Sequence, residues 1–132
     1  MNIFKKTKKE KNKNYPLYCY DDGEIDEIEK CIEEKFGAFK EVFHEIFSPD
    51  IHLDVCFVEP TESEPYYKLV TMGAGAYKMK VPKNLEQYDL ECAEYVIYIP
   101  KEWNFKSDNI NDYWPTKALK DVARLPVMCD TW

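Results

Sequence analysis

Hydrophobic positions recur along this chain with two different periods, and each period marks a different element. In EIDEIEKCIEEKFG (24–37), Ile25, Ile28, Ile32 and Phe36 lie three or four residues apart, the spacing that gathers side chains on one helical face. Asp21 or Asp22 supplies an N-cap, acidic residues crowd the first turn, and Gly37 offers a stop. From Ile51 the period changes to two. Ile51, Leu53, Val55 and Phe57 alternate with His52, Asp54, Cys56 and Val58, as in a strand. The residues between fit either period. Phe39, Phe43 and Ile46 would continue the helical stripe, yet Val42–Phe47 also reads as a strand running into the turn signal Ser48-Pro49-Asp50. The preferred reading is a hairpin of Val42–Phe47 with Ile51–Val58.

Tyr66–Met72 is the next predicted strand, closed by Gly73-Ala74-Gly75-Ala76, and Glu94–Pro100 is the one after it. LEQYDLECA (85–93) between them reads as a turn of helix, and Lys101–Tyr113 as polar loop. Trp114-Pro115-Thr116 opens a second helix, with Ala118, Leu119, Val122 and Ala123 as its buried stripe and an end before Pro126. Helix, several strands, then helix implies an α+β fold: a central, mostly antiparallel sheet flanked by helices.

Composition narrows the class. At 132 residues, with 45% hydrophobic and 33% charged, the chain has the profile of one globular domain. Its longest apolar runs, such as YVIYIP (95–100), are too short to cross a bilayer, so no membrane partner is expected. The first residues carry lysines without a following apolar stretch, which is not a secretory signal and implies a cytoplasmic location. Five cysteines (19, 31, 56, 92 and 129), odd in number and without a CxxC pair, argue for free thiols. They argue equally against a disulfide framework or a zinc site. Residues 1–14 hold six lysines and one glutamate and read as a disordered tail; 15–132 form a single domain with 12 basic against 24 acidic residues. An acidic body opposes a nucleic-acid surface, so no nucleic acid is expected, and it suits a basic protein partner.

Candidate chemistry concentrates in FHEIFSPDIHLDV (43–55). With Phe47 opposite Ile51 across a three-residue turn, His44 faces Asp54, and His44, His52, Asp54 and Cys56 share one face. A histidine oriented by a carboxylate is half of many catalytic sites, and equally an ordinary way to satisfy two half-buried polar groups. No nucleophile or third ligand is fixed beside it. The glycine pair in TMGAGAYKM (71–79) lacks the spacing of a phosphate-binding loop and reads as a turn after a strand. The tyrosines sit in or beside strands, where they are good formers with one polar end, rather than marking a base-stacking surface. No catalytic residue, metal ligand or cofactor site assembles from these patterns.

Four stretches taken together resemble the small bacterial form of the suppressor of fused domain family. They are VFHEIFSPDIHLDVCFVEPT (42–61), YYKLVTMGAGAYKMKVP (66–82), AEYVIYIPKEW (93–103) and YWPTKALKDVARLPVMCDTW (113–132). The resemblance spans 36–132. It implies that VFHEI is a strand and that the domain is a sandwich around a central sheet. It also implies a non-enzymatic protein that holds a partner peptide against its sheet, as the animal relative does with a transcription factor. Bacterial relatives look like immunity proteins that neutralise a partner toxin of a polymorphic toxin system. Matched positions include Glu45, Asp54, Pro60, Thr61, Thr71, Gly73, Glu94, Trp103, Trp114, Pro115, Asp130, Thr131 and Trp132. The family continues past its DTW-like residues, whereas this chain stops at Trp132. A C-terminally short form would leave sheet edge or helix surface uncovered, and a homodimer or dependence on a partner is expected.

The reading that follows is a non-enzymatic immunity protein, with Glu45, His52, Asp54 and Glu94 as the expected partner-binding residues. The rival is a small metal-dependent or histidine-based hydrolase built on His44, His52, Asp54 and Cys56.

Overall fold

The computed structural model describes residues 17–132; the Lys-rich segment 1–14 lies outside them. Helix α1 (Asp22–Phe36) forms where the apolar stripe places it. Its start is a reciprocal capping box: the Asp21 carboxylate accepts from the Glu24 N–H at 2.9 Å, and the Glu24 side chain accepts from the Asp21 N–H at 3.0 Å. Gly37 ends the helix.

Four strands follow: β1 (Phe39–Phe43), β2 (Asp54–Val58), β3 (Tyr66–Met72) and β4 (Val96–Pro100). They make one antiparallel sheet in the order β1-β2-β3-β4. A second helix, α2 (Ile110–Cys129), completes the fold, with 3-10 turns at Ala74–Ala76 and Lys83–Tyr88 between β3 and β4. The alternation in β2 and β3 sorts their side chains to two faces. Cys56, Val58, Val70 and Met72 pack under α1 with Ile32. Val55, Phe57, Leu69 and Ile99 pack under α2 with Leu119 and with Phe105 from the intervening loop. Both faces are covered, so all five residues of β2 are buried. The fold is α+β, as the patterning implies. Among the described residues no helix is long and apolar enough to cross a membrane.

Three sequence expectations require correction. The hairpin keeps its expected register, with Val42 opposite Cys56 and Phe43 opposite Val55, but its strands are shorter: pairing stops at Phe43, and residues 44–53 leave the sheet. The cause is burial elsewhere. Ile51 and Leu53 are fully buried in a third cluster with Ala74 and Ala123. There the backbone bridges in parallel to Tyr18, whose N–H donates to Asp50 O at 2.8 Å while its carbonyl accepts from the His52 N–H at 2.9 Å. Ile46 and Phe47, left without strand partners, are exposed.

The second helix starts earlier and ends later than Trp114 and Pro126 imply. Asn109 caps it by accepting from the Asn111 N–H at 3.0 Å, and both Pro115 and Pro126 lie inside it. Each proline removes one helical N–H, but both rings are buried in the stripe Pro115, Thr116, Leu119, Ala123 and Pro126, and packing outweighs the lost bond. Val122, expected in that stripe, is exposed. The fourth strand begins at Val96, because Glu94 is engaged by the turn after β3.

Candidate functional site

The polar residues singled out by the sequence meet at one end of the sheet, in two adjoining clusters. The first surrounds Glu94. Its carboxylate accepts from five donors: Tyr20 Oη (2.6 Å), Thr71 Oγ1 (2.6 Å), and the N–H groups of Gly73 (2.9 Å), Ala74 (3.2 Å) and Gly75 (3.1 Å). Successive backbone N–H groups in a tight turn make a concave anion site. The glycine pair of TMGAGAYKM builds such a nest, and its anion is the protein's own Glu94. Glycine is needed twice. A Cβ on Gly73, whose φ is +129°, would stand 1.9 Å from the His52 carbonyl oxygen, and one on Gly75 would stand 2.2 Å from Tyr20 Oη. Burial, with the Glu94 charge beside it, pushes the Tyr20 phenol above its ordinary value, so it stays a neutral donor.

The second cluster lies across Gly73, under residues 44–53. Asp54 Oδ2 accepts from His44 Nδ1 at 3.0 Å; Asp54 Oδ1 accepts from the Glu45 N–H at 3.0 Å and lies 3.3 Å from His52 Nε2. Glu45 reaches the other way. It pairs with Arg124 and, at 3.1 Å, with Lys120, both on α2, and accepts from the Leu53 N–H (3.1 Å) and Ser48 Oγ (2.9 Å). Arg124 Nε also donates to Asp50 at 3.2 Å, so one guanidinium ties both ends of the segment to α2. Burial pushes the Glu45 carboxyl up, but the hydrogen bonds from Arg124, Lys120, Leu53 and Ser48 outweigh it and hold it below its ordinary value.

Of the four expected partner-binding residues, Glu45, His52 and Asp54 share this cluster, and Glu94 anchors the neighbouring one. The Glu45 and Asp54 side chains are 8% and 10% exposed, whereas His52 is 41% and His44 73% exposed. Patterning missed Tyr20, Lys120 and Arg124, which reach the clusters from other elements and carry no local signal, and it read Ser48 only as part of a turn. Cys56 does not share the surface of the histidines. It is fully buried beneath α1, and burial pushes its thiol up to about 12.

The constellation can be weighed as chemistry. Ser48 Oγ lies 3.0 Å from His52 Nδ1, and His52 Nε2 3.3 Å from Asp54, the order of a hydroxyl–imidazole–carboxylate relay. The Ser48 proton is, however, also claimed by Glu45 at 2.9 Å. The hollow beside His52 and Asp54 measures about 40 Å³, far below the size of a substrate pocket. Among the described residues no group of three or more His, Cys, Asp or Glu side chains is placed to hold a metal.

A different feature of the same end is open. Thr71 N–H donates to the Tyr95 carbonyl at 2.9 Å, so Tyr95, Ile97 and Ile99 direct their backbone groups to β3. By alternation, Val96 and Tyr98 direct theirs outward from the sheet edge. Beside this edge, a groove of about 280 Å³ runs between α1 and β4, with Ile28, Ile32, Phe36 and Val96 among its walls. The opposite edge, β1, carries a register shift between Phe39 and Glu41.

Fold and site together define an α+β domain whose buried carboxylates are satisfied by its own side chains and backbone. The chain belongs to the suppressor of fused family: the profile described as Suppressor of fused protein (SUFU) matches residues 49–132, which hold β2, β3, β4 and α2. Domains of this family are generally non-catalytic binding or regulatory modules, and protein–protein interaction is the function that membership carries. Comparison with curated proteins and with solved structures returns no match to the chain.

Proposed function

We propose that this domain is an immunity protein, which binds a partner toxin and neutralises it by adding a strand of the toxin to β4. The observation that carries the binding mode is the β4 edge, unpaired among the described residues, beside an apolar groove. Main-chain bonds to Val96 and Tyr98 would supply affinity, and alternate side chains of the guest would enter the groove against Ile28, Ile32 and Phe36. The β1 edge is the poorer acceptor, because its register shift breaks the regular spacing of donors and acceptors. The acidic excess of the body favours a basic toxin, such as a nuclease.

In this reading Glu45 and Asp54 act from beneath. They fix residues 44–53 so that His44, Ile46, Phe47 and His52 face the partner as a second contact. Glu94 fixes the turn from which β4 departs. The apolar residues exposed on the outer face of α2 (Trp114, Val122, Leu125 and Met128) would serve a homodimer.

The test is a pull-down with tagged protein from the native host, followed by Tyr98→Pro. Proline at 98 removes an outward N–H and leaves the bonds to β3 intact. Capture of one secreted-toxin domain, lost in Tyr98→Pro while the variant remains folded, is the expected result. Capture unaffected by the proline would overturn strand addition at β4. Recovery of the protein alone would overturn the immunity reading.

A further inference from the structure

The two helices present different outer surfaces. Opposite its buried stripe, α1 turns Asp22, Asp26, Lys30 and Glu33 to solvent. The outer face of α2 is apolar instead. Opposite Pro115, Thr116, Leu119, Ala123 and Pro126, the positions Ile110, Trp114, Ala118, Asp121, Leu125 and Met128 follow one another three or four residues apart. Ile110, Trp114, Leu125 and Met128 are 58%, 48%, 47% and 69% exposed. A helix that is apolar on both faces is one that is covered on both. The groove beside β4 lies across the sheet, against α1, and takes no part in this stripe.

Trp114 is fixed before any contact. Its ring meets Trp103 edge to face with centroids 6.1 Å apart, and the Trp103 indole N–H donates to the Asp112 carbonyl at 2.7 Å. A large aromatic side chain held in place loses little freedom on binding. Charge enters the stripe at Asp121, and Lys117 borders it one turn earlier; the two pair at 2.5 Å and are 62% and 57% exposed. Lys120 and Arg124, on the flank beyond Lys117, are turned to Glu45.

We propose that this face of α2 binds a second copy of the chain as an antiparallel helix pair, with Lys117 opposite the partner's Asp121. The order of residues along the stripe is self-complementary in that register. Asp121 meets the partner's Lys117 in turn, Ile110 meets the partner's Met128, and Trp114 lies beside the partner's Leu125, each contact made twice. Ala118, near the centre, is small enough to let the helices approach closely. A parallel pair would instead set Lys117 beside the partner's Lys117 and Asp121 beside the partner's Asp121, like charges on an apolar face. This pairing rests on the homodimer of the proposed function and is independent of strand addition at β4, whose edge it leaves open. One helix pair is small for a stable interface, so a micromolar Kd is expected.

The experiment is sedimentation equilibrium of the full chain across the micromolar range, with Leu125→Glu, Lys117→Asp, Asp121→Lys and the double variant Lys117→Asp with Asp121→Lys. All three positions are exposed in the single chain, so the variants fold, which circular dichroism checks. Leu125→Glu carries two charges into the apolar contact and should raise Kd about a hundredfold. Each single charge change sets like charges opposite each other twice and should raise Kd about tenfold, and the double variant should restore it. A parallel pair gives no such rescue, because its facing charges stay alike in the double variant. A chain that stays monomeric, a dimer indifferent to Leu125→Glu, or single losses that the double variant does not restore would each overturn the proposal. Leu125→Glu should capture the toxin domain as well as the wild type does, so failure of the dimer and failure of the immunity reading are separable. Loss of capture in Leu125→Glu, with the wild type monomeric, would assign the face to the toxin and overturn the pairing.

Discussion

Glu94 and Glu45 are both glutamates tucked against one end of the same sheet, yet the protein holds them by opposite means. Glu94 is held by neutral donors, two hydroxyls and three backbone N–H groups, and four of the five come from residues 71–75. Glu45 is held by charge, with Arg124 and Lys120 reaching it from α2 across a long sequence separation. A carboxylate in a nest of dipoles fixes the backbone that supplies them. One paired with cations fixes one element to another. The first device shapes a turn, and the second docks the 44–53 segment on a helix. Gly73 is where they touch, its Cα facing the His52 carbonyl.

That junction should be the most sensitive point. Gly73→Ala forces a Cβ into the His52 carbonyl at a φ that disfavours any side chain, and should cost roughly 3 kcal/mol or more, read from urea unfolding. Glu94→Ala strands five donors and should cost about 3 kcal/mol, with Glu94→Gln in between because one oxygen remains. Arg124→Ala should cost about 2 kcal/mol and loosen residues 44–53, seen as faster amide exchange there with the Gly73–Gly75 amides unchanged. Equal loss of protection at both places would show that the two clusters act as one.

Acid separates the two devices further. The Glu45 carboxyl is held below its ordinary 4.5, so the unfolded chain takes up its proton first as pH falls. Its contribution is therefore complete above pH 4.5 and is lost as pH drops through the lower folded value. Arg124→Ala should flatten this acid limb in urea midpoints followed down to about pH 3. The smallest expected effect is a gain. Thr116→Val removes a buried hydroxyl that has no partner among the described residues and should stabilise the protein by about 1 kcal/mol.

The sequence alone determined the local elements. Four apolar positions at helical spacing and a capping pair specify α1; alternation specifies β2, a run of strand formers specifies β3; and the register that sets His44 beside Asp54 was legible although the three-residue turn assumed for it does not form. These are readable because each depends on residues a few positions apart. The likeness to the suppressor of fused family was legible for the same reason, in short ordered stretches, and the family profile bears it out. Only the tertiary structure decided the rest. It pulls Ile51 and Leu53 out of the expected hairpin into a core shared with Ala123, and it carries α2 through two prolines because their rings are buried. It also gives the glycine turn an anion from 19 to 21 residues away and gives Glu45 a cation 79 residues away. Burial and charge compensation act between elements whose separation along the chain carries no pattern. A sequence can show that such a carboxylate must be satisfied, and only the packed structure selects the group that satisfies it.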